Sequence, residues 1–529
     1  MNKVFQIATL LFLSTSIFSQ VPTNQYFSQE VPLKTKDFQL FAFYINQAVT
    51  SNIFPDTDLN TGQVMGRLFG ANTTRTSNYY TSAYIEQRLI PFFIYSPAKL
   101  KGKATLRASF ELDWTWGDAG VGSGGNFGGG FSSDQVNLQT KNLEIELKPM
   151  KDLYVNVGLQ RIFDTPYNPY TTLFDKMATT GYRLAYFGTN GVGISARKEW
   201  NSVQVKAGYY KLYENYIQLD DDVTLLELNG EKEINSTWKV GASAYYLADR
   251  ANGAGGINSL GQGLNSQLST HTGASQFNFG LLPYKADIAW LGAFFSRNVE
   301  HKTDPWKVSG FLNFNIGTAD TLTNRFLTSA EWIRATKIFG YAANVRASYR
   351  YGQKLIDNIS LDLIHSSGDA NGMADGTYSG VITGNQWGAP GANFVSSGSY
   401  LLMPHGNSIN HNTAAIFDIS NMGYGMTTAT LNASKEIIPN LLSAKVGGAA
   451  AMSTVKPYGG GYFIGTELNA NAAYNFTQNI SIELHGAYLM LGDFYDSSQS
   501  AYGSAVNGGL ETRPVNPWTA FVVFKWFLY

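Results

Sequence analysis

The stretch Lys103–Gly117, KATLRASFELDWTWG, decides the fold class. Ala104, Leu106, Ala108, Phe110, Leu112, Trp114 and Trp116 alternate there with Thr105, Arg107, Ser109, Glu111, Asp113 and Thr115. A period of two belongs to a β-strand with one apolar and one polar face. Leu153, Val155, Val157 and Leu159 repeat the pattern against Tyr154, Asn156, Gly158 and Gln160, and Ile480–Tyr488 repeats it near the C-terminus. Strands of about 10 to 15 residues are long for a soluble sandwich but suit a tilted strand crossing a bilayer.

Composition agrees with that reading. The 529 residues are 44% apolar and 14% aromatic but only 15% charged, with 54 Gly. A soluble chain carries roughly a quarter charged residues. With 38 basic against 39 acidic residues, the charge balance gives no reason to expect a nucleic-acid partner. The absence of Cys excludes disulfides, thiolate metal sites, a cysteine nucleophile and an N-terminal lipid anchor.

Met1–Lys3 provide a positive start, Val4–Leu13 an apolar run and Ser14–Gln20 a small polar stretch, the pattern of a secretory signal peptide over 1–20. No later window offers the roughly 20 apolar residues that a spanning helix needs. An exported, apolar chain without such a helix satisfies its backbone in lipid only by closing its strands into a barrel. The expected class is therefore an all-β, transmembrane, antiparallel up-and-down β-barrel of about 18 strands, with 16 as the alternative. Residues 21–37 form a periplasmic segment, too short for the plug of a TonB-coupled transporter, and 38–529 form the barrel.

Loop lengths test the count, because bacterial barrels alternate short periplasmic turns with longer outer loops. Short links such as 149–151, 200–201 and 476–478 alternate with long ones such as 118–132, 249–283 and 368–422. A strand at 325–337 would invert every later loop, so that segment is assigned to an outer loop spanning 318–339 or to an inward fold. The loops 318–339 and 368–422 are the candidate gates. Phe521–Tyr529, FVVFKWFLY, has the aromatic ending of a strand read by the outer-membrane assembly machinery. Both termini are then periplasmic and the barrel sits in the outer membrane of a Gram-negative cell.

A barrel of this size encloses water, so its inward polar face is the functional surface. The candidate pore-lining residues are Arg107, Glu111, Asp113, Glu144, Glu146, Arg197, Lys206, Lys239, Arg346, Arg350, Asp362, Glu467 and Glu483. Glu111, Asp113, Glu144 and Glu146 would form an acidic wall facing the Arg346 and Arg350 wall, setting a transverse field across the lumen. The alternative is that these groups pair with neighbours on the wall. Tyr154, Tyr210 and Tyr245 are inward aromatic candidates for a sugar slide.

His365-Ser366-Ser367-Gly368-Asp369 and Leu401-Leu402-Met403-Pro404-His405-Gly406 resemble loop segments of the alginate-export-type outer-membrane barrels. Gly465–Leu468, Gly486-Ala487-Tyr488 and Gly492-Asp493-Phe494-Tyr495 are similar to that family's C-terminal strand pair. The resemblance runs over about 357–529 and implies an eighteen-stranded diffusion channel. It does not imply alginate as substrate, because the arginine-rich lumen of a dedicated exporter is not evident here.

Asp369, Asn371 and Asp375 have a calcium-like spacing beside Gly372 and Gly376 but lack the closing bidentate Glu, and an Asx-rich turn explains them equally. No other cofactor is expected. The Gly-rich segment 117–130 lacks the Lys-Ser/Thr of a phosphate loop. His405 and His411 have no third ligand, and nothing fixes a Ser–His pair around His365 or His485, so the chain is not expected to be an enzyme. The expected function is passive diffusion of small polar solutes or sugars through an outer-membrane porin. The alternatives are a selective polysaccharide channel, a barrel enzyme and a loop-displaying adhesin.

Overall fold

Leu143, Ile145 and Leu147 are 41–49% exposed, while the intervening Glu144 and Glu146 are buried at 2% and 9%. In a soluble protein this order would be reversed. Here the sheet has closed on itself, so its polar face is inside and its apolar face outside.

The computed structural model describes residues 37–55, 64–69, 74–116, 133–163, 188–252, 277–298, 304–323, 331–382, 398–498 and 505–528, with scattered single residues and 280–281 excepted. The expected signal peptide, most of the 21–37 segment, the Gly-rich stretch 117–130 and Tyr529 lie outside the described residues.

Eighteen antiparallel strands form the barrel. They are β1 (Phe38–Ser51), β2 (Ser82–Tyr95), β3 (Ala104–Trp116), β4 (Ser133–Met150), β5 (Leu153–Phe163) and β6 (Gly188–Trp200). The middle of the chain gives β7 (Val203–Tyr213), β8 (Val223–Glu233), β9 (Trp238–Asp249), β10 (Tyr284–Arg297), β11 (Trp306–Leu322) and β12 (Trp332–Arg350). The remainder are β13 (Asn358–Ser366), β14 (Met426–Ile438), β15 (Leu442–Met452), β16 (Phe463–Thr477), β17 (Ile480–Leu491) and β18 (Trp518–Leu528). Each pairs with its neighbours in sequence, and β1 pairs with β18 from Ala42↔Leu528 to Ser51↔Thr519, which closes the ring and leaves no edge.

Three of the short turns are built on residues that tolerate left-handed backbone. Asp152, Asn201 and Asn440 have φ of 57°, 38° and 61° in the β4–β5, β6–β7 and β14–β15 turns. The expected outer loop 318–339 is shorter than the sequence suggests. β11 runs on to Leu322 and β12 starts at Trp332, so most of the segment is extended hairpin rather than gate. The strand signal within 325–337 is the outer end of β12, which preserves the parity of every later loop.

Between Ser367 and Gly425, the described stretches 367–382 and 398–425 turn into the barrel, where Leu401, Leu402 and Met403 are at most 2% exposed. The short strand His411–Ala414 pairs in parallel with Val64–Arg67 from the β1–β2 loop. Thr377–Tyr378 adds a parallel rung to Lys337–Ile338 of β12. Gly368 and Gly425 sit where the loop leaves and rejoins the wall. Gly425 has φ +61°, and a Cβ on it would lie 2.6 Å from the Gly368 nitrogen.

Along β8–β10 the outer half of the wall is lined differently from the inner half. Tyr284, Ala286, Ile288 and Trp290 of β10 all point inward and meet loop residues such as Phe279, Val381 and Ile382 in a continuous apolar cluster. Trp290 Nε1 donates to the Ile382 carbonyl at 2.8 Å, so even this large ring has its polar atom satisfied.

Candidate functional site: a lumen crossed by an inward loop

All thirteen predicted pore-lining residues lie on inward-facing positions of the wall. Register brings most of them into pairs. Arg88 of β2 stands opposite Asp113 of β3. Its Nε and Nη2 donate to the two Asp113 oxygens at 2.7 and 2.8 Å. Arg88 also lies 3.4 Å from Glu111, which takes Lys141 at 2.9 Å. Arg107 donates to Glu146 at 2.9 Å, and Glu144 accepts from Asn156 at 2.9 Å. Arg197 reaches Glu199 at 3.0 Å and lies 4.4 Å over the Tyr154 ring. Lys206 pairs with Glu227 at 2.8 Å, and Lys239 lies between Glu231 and Glu233. Arg346 donates to Asp362 at 2.7 Å, and Lys525 donates to Glu483 at 2.8 Å. Arg350, at the periplasmic end of β12, lies outside these pairs.

This arrangement corrects the expectation of two opposed charged walls. Glu111, Asp113, Glu146, Glu227, Asp362 and Glu483 each have a base on the same or the next strand, a few ångströms away rather than across the lumen. At such separations a neighbouring opposite charge dominates the local field, and the far wall, beyond a Debye length of about 8 Å in saline, contributes little. Tyr210 and Tyr245 point inward as expected, but their hydroxyls are committed to the Glu227 carboxylate, with Tyr210 at 2.7 Å.

The inward loop enters this lined lumen and is attached to two neighbouring stretches of the wall. Toward β16–β18, Glu467 accepts the Tyr400, Leu401 and Leu402 N–H groups at 2.8, 2.8 and 2.6 Å and the Ser399 hydroxyl at 2.7 Å. Beside it, Asn469 donates to the Gly398 carbonyl at 2.7 Å. Phe521 of β18 is stacked between His405 of the loop and His485 of β17, with centroids 4.7 and 4.5 Å apart. Toward β2 and β3, Arg88 donates to the Ile409 carbonyl at 3.3 Å and Asn410 to Thr115 at 2.9 Å. The His411 ring bonds to Glu86 and stacks on Tyr84 at 4.1 Å. Burial, reinforced by His485, Lys525 and Lys445, holds the His405 imidazole down to about 3. It is therefore neutral near pH 7. Between this loop and the wall is a cavity of about 40 Å³ lined by Gln47, Tyr84, Tyr400, Ser408, His411 and Thr519 among others. That is room for a few waters but not for a sugar.

The other predicted groups have local roles. Asp369 accepts the Asn371 N–H at 3.0 Å and the Ser379 N–H and hydroxyl at 2.8 Å each. Asp375 accepts from Thr377 N–H and Asn371 Nδ2. The carboxylate oxygens thus face N–H and O–H donors, as in Asx turns, and among the described residues no three His, Cys, Asp or Glu side chains converge on a metal position. His365 bonds to Thr427 and Tyr341, and His485 to Tyr400 and Glu483. The serine nearest His365 in sequence, Ser366, donates to the Ile419 carbonyl. Sequence reasoning missed Glu86 and Arg88. Their alternation with Ile85 and Gln87 gives no apolar face, and only the register with β3 reveals them.

The chain is thus a membrane-spanning, eighteen-stranded antiparallel β-barrel whose outer loops enter its lumen. No family model matches it, and no curated protein does. Solved structures similar to it include OccK5 (OpdH) of Pseudomonas aeruginosa, at 12% identity and TM-score 0.43 over 93% of this chain and 98% of that one. OccAB4 of Acinetobacter baumannii gives 10% and 0.44, covering 94% and 99%. OccK2 (OpdF) of Pseudomonas aeruginosa in complex with glucuronate gives 11% and 0.45, covering 93% and 97%. Likeness at this level carries no argument about what passes through the lumen. The resemblance to alginate-export-type barrels finds no support in these comparisons.

Proposed function

We propose that the chain is an outer-membrane channel for passive diffusion of small polar solutes, narrowed by the loop 367–425. One observation carries this reading: a polar, ion-paired wall lines the inner lumen, and the loop above it is attached at β16–β18, at β2–β3 and, through Ile382, at β10. A wall of this kind keeps water ordered in the pore, which polar solutes can replace and apolar solutes cannot. Pairing of acids with bases removes any one-signed ladder, which supports small solutes over a polysaccharide path of the alginate-export kind. The apolar exterior is in contact with outer-membrane lipid, and β18 presents the C-terminal strand to the assembly machinery. Neither role calls for catalysis or a cofactor.

The test is swelling of liposomes containing the full chain, challenged with neutral sugars and organic acids of graded size. Swelling with small solutes and a size cut-off is expected. No swelling with any solute, from protein that shows the heat-dependent mobility of a folded barrel, would remove the channel reading.

A further inference from the structure

We propose that Glu467 is the positioning residue that pins the constriction loop inside the lumen, so that one wall carboxylate sets how far the channel is closed. The inference rests on the channel reading for its consequence but not for its geometry. Glu467 is 0% exposed on β16. Its Oε2 accepts Ser399 Oγ, Leu401 N and Leu402 N, and its Oε1 accepts Tyr400 N and Asn469 Nδ2. Three successive backbone N–H groups aimed at one anion form a nest, a geometry that binds negative charge without any basic side chain.

Among the described residues, no other attachment of the loop gathers three successive backbone N–H groups on one side chain. Arg88 reaches one carbonyl, Asn410 one hydroxyl, and His411 meets Glu86 through its ring and its N–H. The apolar contacts of Leu401, Leu402 and Met403 are non-directional and favour burial in any register. Glu467 fixes the register of Ser399–Leu402 against the wall. With the loop released, its carboxylate would face water in the lumen. With the loop docked, burial of the charge is tolerated only because its oxygens receive five donors. The docked state therefore depends on the acceptor's charge. A neutral amide at this position presents an NH2 group to N–H donors and leaves two or more of them unmatched.

The chain has no Cys, so Ser408→Cys, at a position 8% exposed on the loop, gives a clean reporter of release. Maleimide labelling of Ser408→Cys is compared in the full-length folded barrel with and without Glu467→Gln, alongside the barrel's thermal unfolding. Loss of charge-assisted bonds is expected to speed labelling roughly tenfold or more, with the unfolding temperature of the barrel unchanged. Unchanged labelling overturns the proposal. Faster labelling with a matching fall in unfolding temperature also overturns it, since the whole barrel has then loosened. If Glu467→Gln does not fold, Ser399→Ala takes its place. It removes the donor to Glu467 and the acceptor for Met403 N–H, and the same two outcomes decide. Planar-bilayer conductance then judges the channel reading separately. Current that rises with the labelling rate joins the two, whereas no current from either protein removes the channel and leaves the pin.

Discussion

The imidazole of His405, on the inward loop, lies flat against the ring of Phe521 on the last strand, with centroids 4.7 Å and planes 14° apart. Burial disfavours a proton on this imidazole, as do the charges of His485, Lys525 and Lys445 around it, while Glu483 is engaged by Lys525 and His485. Docked, His405 is held near 3. Released into water it returns to about 6.5. Between those values the released loop binds the extra proton, so docking weakens as pH falls through 6.5 and stops weakening below 3. By pH 5 the loss is about 2 kcal/mol. Labelling at Ser408→Cys with a pH-insensitive thiol reagent is expected to be faster at pH 5 than at pH 7.5, and His405→Phe is expected to flatten that difference. Equal rates in the parent at both pH values would contradict it.

Arg88 and Asp113 form a deeply buried ion pair of the wall, with side chains 10% and 0% exposed. Arg88→Ala leaves Asp113 and Glu111 without their shared cation and is expected to cost about 3–5 kcal/mol. The double variant with Asp113→Ala should recover much of that. Denaturant unfolding followed by gel mobility measures both, and a double variant no better than the single one would refute the coupling.

Arg346 and Asp362 bear on selectivity. Because they neutralise one another at 2.7 Å, the Arg346→Ala, Asp362→Ala double variant should keep the parent's reversal potential in a salt gradient. Arg346→Ala alone should move it toward cations. A large shift in the double variant would restore the case for opposed charged walls.

Gly425 carries the left-handed backbone where the loop rejoins β14. Gly425→Ala adds the left-handed penalty of about 1–2 kcal/mol and a Cβ close to the Gly368 nitrogen. Faster proteolysis within 367–425, with the barrel itself intact, is the expected result. Cleavage at the parent rate would show that the close approach has slack.

The barrel was legible because lipid and lumen enforce alternation. Leu143 to Leu147 and Leu153 to Leu159 announce their strands without any tertiary knowledge. The lumen charges were legible individually, but not their pairing. Whether Arg346 faces Asp362 or an acid across the pore depends on β12–β13 register, which alternation does not encode. The outer half of β10 was not legible, for a different reason. On β10 the inward residues are Tyr284, Ala286, Ile288 and Trp290, while Asp287 points outward to Arg250 and Tyr246. Near the rim the exterior meets water and headgroups and the interior meets folded loops, so the usual sense of inside and outside is inverted. The path of the loop after Gly368 was only nameable as a candidate gate, because its course depends on Glu467 and Phe521, which follow it in the chain.

The parallel pair of Val64–Arg67 with His411–Ala414 has a consequence for the order of assembly. Four-residue strands do not pair by themselves, and these two are separated in sequence by everything from β2 to β13. Bringing them together carries a large loop-closure entropy until the intervening strands are in place. The wall must therefore form around a wide lumen, and the loops then zip together within it. The contacts that narrow the pore are the last the chain makes on its way into the membrane, and they are the first it can give up without leaving it.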